Sequence, residues 1–307
     1  MLTFFYRRLV GMVPTLLIVS MIVFLFLHLI PGDPAQLLAG QDASVEDIEN
    51  TRIKLGLDKP LYEQYWHFIT GMLKGELGES FRTQEPVLSM IAERILPTLH
   101  LTFFSMVWAI VLGLLFGVIS ATRRGKWQDT TTMVLAVAGI SMPSFWLGMM
   151  LIDLFAVKLG WLPSAGNRTF IHVILPAITL GSGIAAVIAR FTRTSLLETL
   201  REDYVRTARA KGAREWRIVW SHALRNALIP IVTMTGMQFG LLLGGSIVVE
   251  TVFSWPGIGR LLIDSLLFRD YPVIQAEILL FVFQFMVINL LVDVTYALIN
   301  PQIRLRN

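Results

Sequence analysis

Few side chains in this 307-residue sequence could do bond-making chemistry, and those few lack the spacing for it. Cysteine is absent, which removes thiolate ligands and a thiol nucleophile. The five histidines show no metal-ligand spacing, and neither HExxH nor GxSxG occurs, so neither a metalloprotease site nor an esterase-type serine is indicated. RRGKWQ, residues 123–128, lacks the upstream glycine and the hydroxyl after lysine that a phosphate loop needs, so the chain is not expected to hydrolyse ATP. What remains is charge in unusual places. Four acids, Asp153, Glu250, Glu277 and Asp293, lie in or near apolar runs, and one stretch, DYVRTARAKGAREWRIVWSHALRNALIP (Asp203 to Pro230), gathers Arg and Lys in a chain that is 54% hydrophobic.

The elements that hold these charges are membrane spans. Only 16% of residues are charged, and mean hydropathy is +0.63, against about 25% charged in an average soluble domain. Six apolar stretches reach the length a bilayer needs, about 20 residues. They are Leu9–Ile30, Thr98–Ala121, Thr131–Val157, His172–Ala189, Ala227–Val249 and Ala276–Ile299. The first follows Arg7 and Arg8 like a signal peptide, but it is too long and ends in PGDP, so it reads as a retained helix. The expectation is an all-α polytopic membrane protein with six transmembrane helices.

Lys and Arg set the orientation. With the N-terminus inside, the inner segments hold Arg7 and Arg8, then Arg123, Arg124 and Lys126, then the run from Arg190 to Arg225, then Arg304 and Arg306. The outer loop Pro31–Pro97 carries eleven acidic against six basic residues. Both termini are therefore expected in the cytoplasm, and the positive-inside bias accounts for the net charge of +4 without nucleic acid. Within the outer loop, Ser44 with Asp47 three residues on predicts a capped short helix.

The basic stretch has internal order. Apolar residues at 216, 219, 220, 223, 224, 227 and 228 follow helical spacing and predict one buried face, with Arg214, Arg217, Arg225 and Asn226 elsewhere. Before them DYVRTARA is helix-forming, with Asp203 at its start and Gly212 placed for a left-handed helix end. Two readings stand. The stretch is a solvated loop that fixes topology and meets anionic lipid head groups, or it is a short helix, held by a longer one, that enters a partner's groove. The small residues of TARAKG, which let a partner backbone approach closely, favour docking.

YVRTARAKG followed by HALRNALIP resembles the cytoplasmic loop of ABC importer permeases of the dipeptide, oligopeptide, glutathione and nickel branch. Ala208 and Gly212 match the general Glu-Ala-Ala, three residues, Gly pattern, whereas Arg206 and Thr207 stand where its Glu and first Ala would be. IPGDPA, LGLDKPLYEQY, GELGES, ERILPTLHLT, SMPSFWLGMMLI, GWLPSAG, HVILPAITLG, VVETVFSWPGIGRLL, RDYPVIQ and NLLVDVTYALINPQIR extend the likeness along the whole chain. Within the branch, the first permease subunit of glutathione and dipeptide systems is most similar.

The resemblance implies a type I ABC importer permease fold in a bacterial inner membrane, with residues 1–30 as the first helix, 31–97 as an outer loop and 98–307 as the permease core. It implies a second homologous permease, two cytoplasmic ABC ATPases holding ATP and magnesium, an extracytoplasmic substrate-binding protein and surrounding lipid, with no cofactor or metal on this chain. The ATPase-coupling residues would be Asp203, Tyr204, Arg206, Thr207, Ala208, Arg209, Ala210, Lys211, Gly212 and Arg214, within a loop at 190–226. Ser141, Met142, Pro143, Ser144, Met237, Gly240 and Gly244 would line the path, and Asp33, Phe253, Trp255, Pro256 and Arg260 would meet the binding protein or form a gate. A permease for nickel or a metal chelate is the alternative within the branch, and an ion-coupled secondary transporter the alternative outside it.

Some features stay open on the residues alone. The intramembrane acids are an ion relay or paired and interfacial acids, since a charge at mid-bilayer costs at least ~2.5 kcal/mol. The outer-end positions of Glu250 and Glu277 favour the second reading. Pro143 gives either a simple kink or a break that exposes backbone to cargo. Gly236, Gly240 and Gly244 form a smooth stripe suited to close helix packing.

Overall fold

The computed structural model describes residues 2–29, 34–40 and 43–299, and every regular element among them is helical. It comprises two compact units. The first is formed by residues 1–96 with 257–287, the second by residues 97–256 with 288–307.

In the first unit, α1 (Leu2–Leu29) precedes three short helices, α2 (Pro34–Ala39), α3 (Val45–Lys54) and α4 (Leu61–Lys74). Ser44 caps α3 as its spacing predicts: its hydroxyl accepts from the Asp47 N–H while the Asp47 carboxylate accepts from the Ser44 N–H. The α4 helix docks on α1 through Tyr65, whose hydroxyl is 2.9 Å from Ser20 Oγ and whose ring meets Phe24 edge-on. A helix in the segment after residue 250, α12 (Ile258–Phe268), was not expected. With the starts of α5 (Val87–Thr122) and α13 (Tyr271–Ile299) it buries Val87, Ile91, Leu261, Val273 and Ala276. The Asp270 carbonyl accepts the Ile274 N–H at the start of α13, and its carboxylate receives Ser80 Oγ at 2.5 Å and the Phe81 N–H at 3.0 Å, which pins the loop after α4.

The second unit is built around α8 (Ile174–Thr199), entered through a 3-10 turn at Phe170–Val173. It packs on α6 (Trp127–Ser141), α7 (Ser144–Leu151) and α11 (Leu224–Val252). Glycine decides how closely α5 approaches. A Cβ at Gly113 would stand 2.9 Å from the Ala185 carbonyl oxygen, and one at Gly117 would stand 2.7 Å from that of Ala189. Gly113 and Gly117 thus form a small-residue pair at the α5–α8 contact, whereas a Cβ on Gly244, in the stripe on α11, would meet nothing within 4 Å.

Several expected boundaries move. The second span begins at Val87 rather than Thr98 and runs 36 residues through Pro97. The fourth extends to Thr199, ten residues past its apolar run, because the helix continues through a more polar segment containing Arg and Thr. The expected third span, Thr131–Val157, is not one helix: α6 and the helix after Pro143 meet at 106°. At about 22 Å, the 15-residue α6 is too short to cross ~30 Å of hydrocarbon alone. The cause is local. Met142 is extended, as the residue before proline prefers, and Pro143 starts a new helix where its missing N–H costs nothing. That helix then widens into a π-helical turn at Ile152–Lys158. Among the described residues, four single helices (α1, α5, the helix 170–199 and α13) and this broken pair have the length and apolarity to cross a membrane. The remaining expected span coincides with α11, 29 residues long.

Candidate functional site

The basic stretch forms α9 (Asp203–Ala210), then α10 (Glu215–Arg217), which passes through a π-helical turn at Ile218–Ala223 into α11. Asp203 lies in the first turn of α9, where a negative charge meets the exposed N–H dipoles. The helix stops because Gly212 adopts φ +77, a left-handed conformation. The Gly212 N–H then reaches the Arg209 carbonyl at 2.9 Å, and the Ala213 N–H reaches that of Ala208 at 3.1 Å, the paired bonds of a Schellman ending.

Three contacts fix α9 to α10 and the start of α11. Val205 is fully buried. Tyr204 Oη accepts from Asn226 Nδ2 at 2.7 Å and donates to the His222 carbonyl at 3.4 Å. Arg209 forks onto Glu215 across the Gly212 turn, Nε to Oε1 at 2.8 Å and Nη2 to Oε2 at 3.3 Å. That guanidinium holds the Glu215 carboxyl below the usual carboxylate range. The Arg206–Asp203 pair, 3.6 Å apart and exposed on both sides, contributes little. The outward face of α9 consists of Asp203, Arg206, Thr207 and Ala210, continued by Lys211, Gly212 and Arg214, with Ala208 half-buried. Every candidate coupling residue therefore lies in one helix and the turns that end it.

The helix after the turn departs from its expected register. Ile218, Val219, Ala223, Leu224 and Ala227 are buried, while Trp216 and Trp220 face outward, 71% and 45% exposed, with ring centroids 5.1 Å apart. A uniform 3.6-residue period would bury the tryptophans. The wider π turn rotates the buried face and leaves the two indoles outside.

One buried pair escaped the sequence reading. Asp129 opens α6 and is 6% exposed. Its carboxylate receives Arg193 Nε at 2.8 Å and Nη2 at 2.9 Å, the Gly125 N–H at 3.0 Å and the Ser120 hydroxyl. The turn between α5 and α6 is thereby clamped onto α8, ten residues before α9 begins. An acid directly after the basic RRGKWQ run was the available signal.

The remaining candidates fall in several places. Phe253 and Trp255, expected at a binding-protein contact or gate, are core residues here, 1% and 2% exposed. Trp255 Nε1 donates to the Pro97 carbonyl at 3.0 Å, and Thr98 Oγ1 donates to Glu250 Oε1 at 2.8 Å, so the FSWPG segment is tied to α5. Pro256 and Arg260 are half-buried, and Arg260 lies 3.8 Å from Asp264. Asp33 lies outside the described residues. Ser141, Met142 and Pro143 are exposed at the α6–α7 break and Ser144 is half-buried beside them. On α11, Met237 and Gly244 are exposed whereas Gly240 is buried. Asp153 is paired with Lys158 at 2.6 Å on the exposed π turn. Glu250 and Glu277 are fully buried, and the Asp293 side chain lies outside the described residues.

The fold and sequence both have relatives. Residues 113–305 match the model of the binding-protein-dependent transport system inner membrane component, and residues 1–102 match that of its N-terminal membrane component. The glutathione transport system permease protein GsiC of Pectobacterium atrosepticum is 59% identical, over 99% of this chain and 99% of that protein. GsiC of Escherichia coli K12 is 58% identical with the same coverage. Among solved structures, the inward-facing MetNI methionine ABC transporter aligns over 69% of this chain and 97% of its own, with TM-score 0.59 and 23% identity. An amino acid ABC transporter solved with histidines aligns with TM-score 0.54 and 15% identity, over 68% of this chain and 93% of its own. At those identities the structures speak for the fold alone. A helical chain with a broken third span, a Schellman-ended helix before α11 and full-length likeness to these permeases belongs to the binding-protein-dependent transport system inner membrane components.

Proposed function

We propose that this chain is one of two permease subunits of an ATP-driven importer of small peptides, with glutathione the leading substrate. Separate ATPase subunits supply the energy, an extracytoplasmic binding protein delivers the cargo, and both termini face the cytoplasm. The observation that carries this reading is the pairing of full-length identity near 59% to glutathione permeases with a short exposed helix, α9, whose ending and anchors are fixed. In this reading α9 enters a groove of the ATPase. ATP-driven closure of the motor brings the two permeases' docking helices together and opens the path outward; hydrolysis resets it. The α9 helix has no reacting group of its own and contributes position and charge.

The experiment is Gly212→Asp in the importer reconstituted with its partners. Any side chain at φ +77 costs about 1 kcal/mol, and the new carboxylate adds negative charge to a basic docking face. Insertion and assembly are expected to persist while uptake of labelled glutathione falls and ATP hydrolysis no longer responds to the loaded binding protein. Normal coupling in that variant would refute the docking role of α9.

A further inference from the structure

A roomy cavity lies within the first unit, on the side that the charge bias places outside. It has a volume of about 1310 Å³ and is bounded by the end of α3, the turn into α4, α4 itself, the loop after α4 and the start of α13. That volume is ample for a short peptide with water, compared with roughly 300–1,000 Å³ for pockets that hold drug-sized ligands. Its lining mixes apolar surface, such as Phe24 and Phe68, with charges of both signs from different segments. Lys54 and Lys59 come from the end of α3 and the following turn, and Glu76 and Glu79 from the loop after α4. None of these four has an ion-pair partner among the described residues.

Both charged rims are held in place. Gln64 Nε2 donates to the Lys59 carbonyl at 2.8 Å and to that of Leu57 at 3.3 Å, fixing the basic turn on α4. The acidic loop is held by Ser80 and Phe81 on Asp270 and by the Val87 N–H on the Gly78 carbonyl at 3.0 Å. Tyr271, also in the lining, is 6% exposed, and its hydroxyl has no hydrogen-bond partner among the described residues. Fixed rims lower the ordering cost of binding. Unpaired charges of opposite sign, set on separate segments around an apolar space, match the two ends of a peptide. We infer that this cavity is a receiving site of the permease for a short peptide with free termini, Lys54 and Lys59 facing its carboxylates and Glu76 and Glu79 its amino group.

The inference rests on the peptide-import reading, and its test separates the two. The complete membrane complex, in lipid nanodiscs without the binding protein, is titrated with labelled glutathione and with its N-acetylated and C-amidated forms. Direct saturable binding is expected, weakened about tenfold by Lys54→Glu with Lys59→Glu, with a raised half-saturation for uptake and unchanged basal ATP hydrolysis. In Glu76→Gln with Glu79→Gln, the penalty for N-acetylation is expected to vanish while that for amidation stays. Uptake of peptide with no direct binding, or with binding that the lysine variant leaves unchanged, overturns the receiving site alone. Absence of peptide uptake by the unaltered importer overturns the import reading and the site with it.

Discussion

Asp129→Ala tests the clamp between the α5–α6 turn and α8. The substitution removes an acceptor that serves Arg193, Ser120 and Gly125 together, and it leaves a guanidinium whose side chain is only 28% exposed without its counter-charge. Breaking a buried pair from one side costs about 3–5 kcal/mol. Arg193 keeps partial access to water, so the lower end applies: about 3 kcal/mol, or roughly a hundredfold in the folded-to-unfolded ratio. The assay is reversible unfolding of the purified chain in mixed micelles, followed by tryptophan fluorescence. The double variant Asp129→Ala with Arg193→Met should be less damaged than the two single losses added together, because it also removes the stranded charge. The same clamp leads into α9, so uptake should fall along with stability in the single variant and recover in part in the double. A loss under about 1 kcal/mol, or strict additivity in the cycle, would refute the clamp as a buried, coupled unit.

Two other substitutions probe packing. Trp255→Phe removes the indole N–H that serves the Pro97 carbonyl and leaves a gap at a 2% exposed site, for about 2 kcal/mol of lost stability in the same unfolding assay. Gly117→Val should cost about 3 kcal/mol or prevent folding, since its Cβ would press on the Ala189 carbonyl, while Gly244→Val should leave the melting of the isolated chain unchanged. If Gly244→Val then lowers recovery of the two-permease complex by co-purification, the exposed surface of α11 at Gly244 is a contact between subunits; full recovery excludes it.

What the sequence revealed depended on how far apart the interacting residues lie. A membrane crossing is a local run of apolar side chains, and a helix ending is a glycine beside a helix former. The spans, the Ser44 cap and the Gly212 turn could therefore be read from neighbours alone. The bonds that assemble these pieces join residues 64, 158 and 190 positions apart, Arg193 to Asp129, Trp255 to Pro97 and Ser80 to Asp270, and composition carries no trace of such pairings. Phe253 and Trp255 were legible as special residues but not as buried ones, because an aromatic cluster beside a Pro-Gly turn suits a surface contact as well as a core. The break at Pro143 was legible as a break. Its 106° bend was not, since one proline gives a shallow kink or a new helix depending on what packs behind it.

The same distinction bears on how α9 could transmit force. Its own anchors are local: Val205, Tyr204 to Asn226, and Arg209 to Glu215 hold it to the start of α11. Its entry is governed by a distant contact, the Asp129 clamp on α8, and α8 packs along α11. A load on α9 thus meets two helices already joined to each other, and the turn after α9 is braced by the Arg209–Glu215 pair. Under the proposed function, docking strength and transmission are then separable properties. Charge on the outward face of α9 sets how tightly the ATPase holds, while the clamp sets how much of each stroke reaches the membrane. Variants at Arg206 or Lys211 should therefore alter motor affinity at constant uptake per ATP, and variants at Asp129 or Arg193 should alter uptake per ATP at constant affinity. Parallel measurement of ATPase binding and transport stoichiometry distinguishes the two, and a single shared effect from both sets would show that the helix and its clamp act as one element.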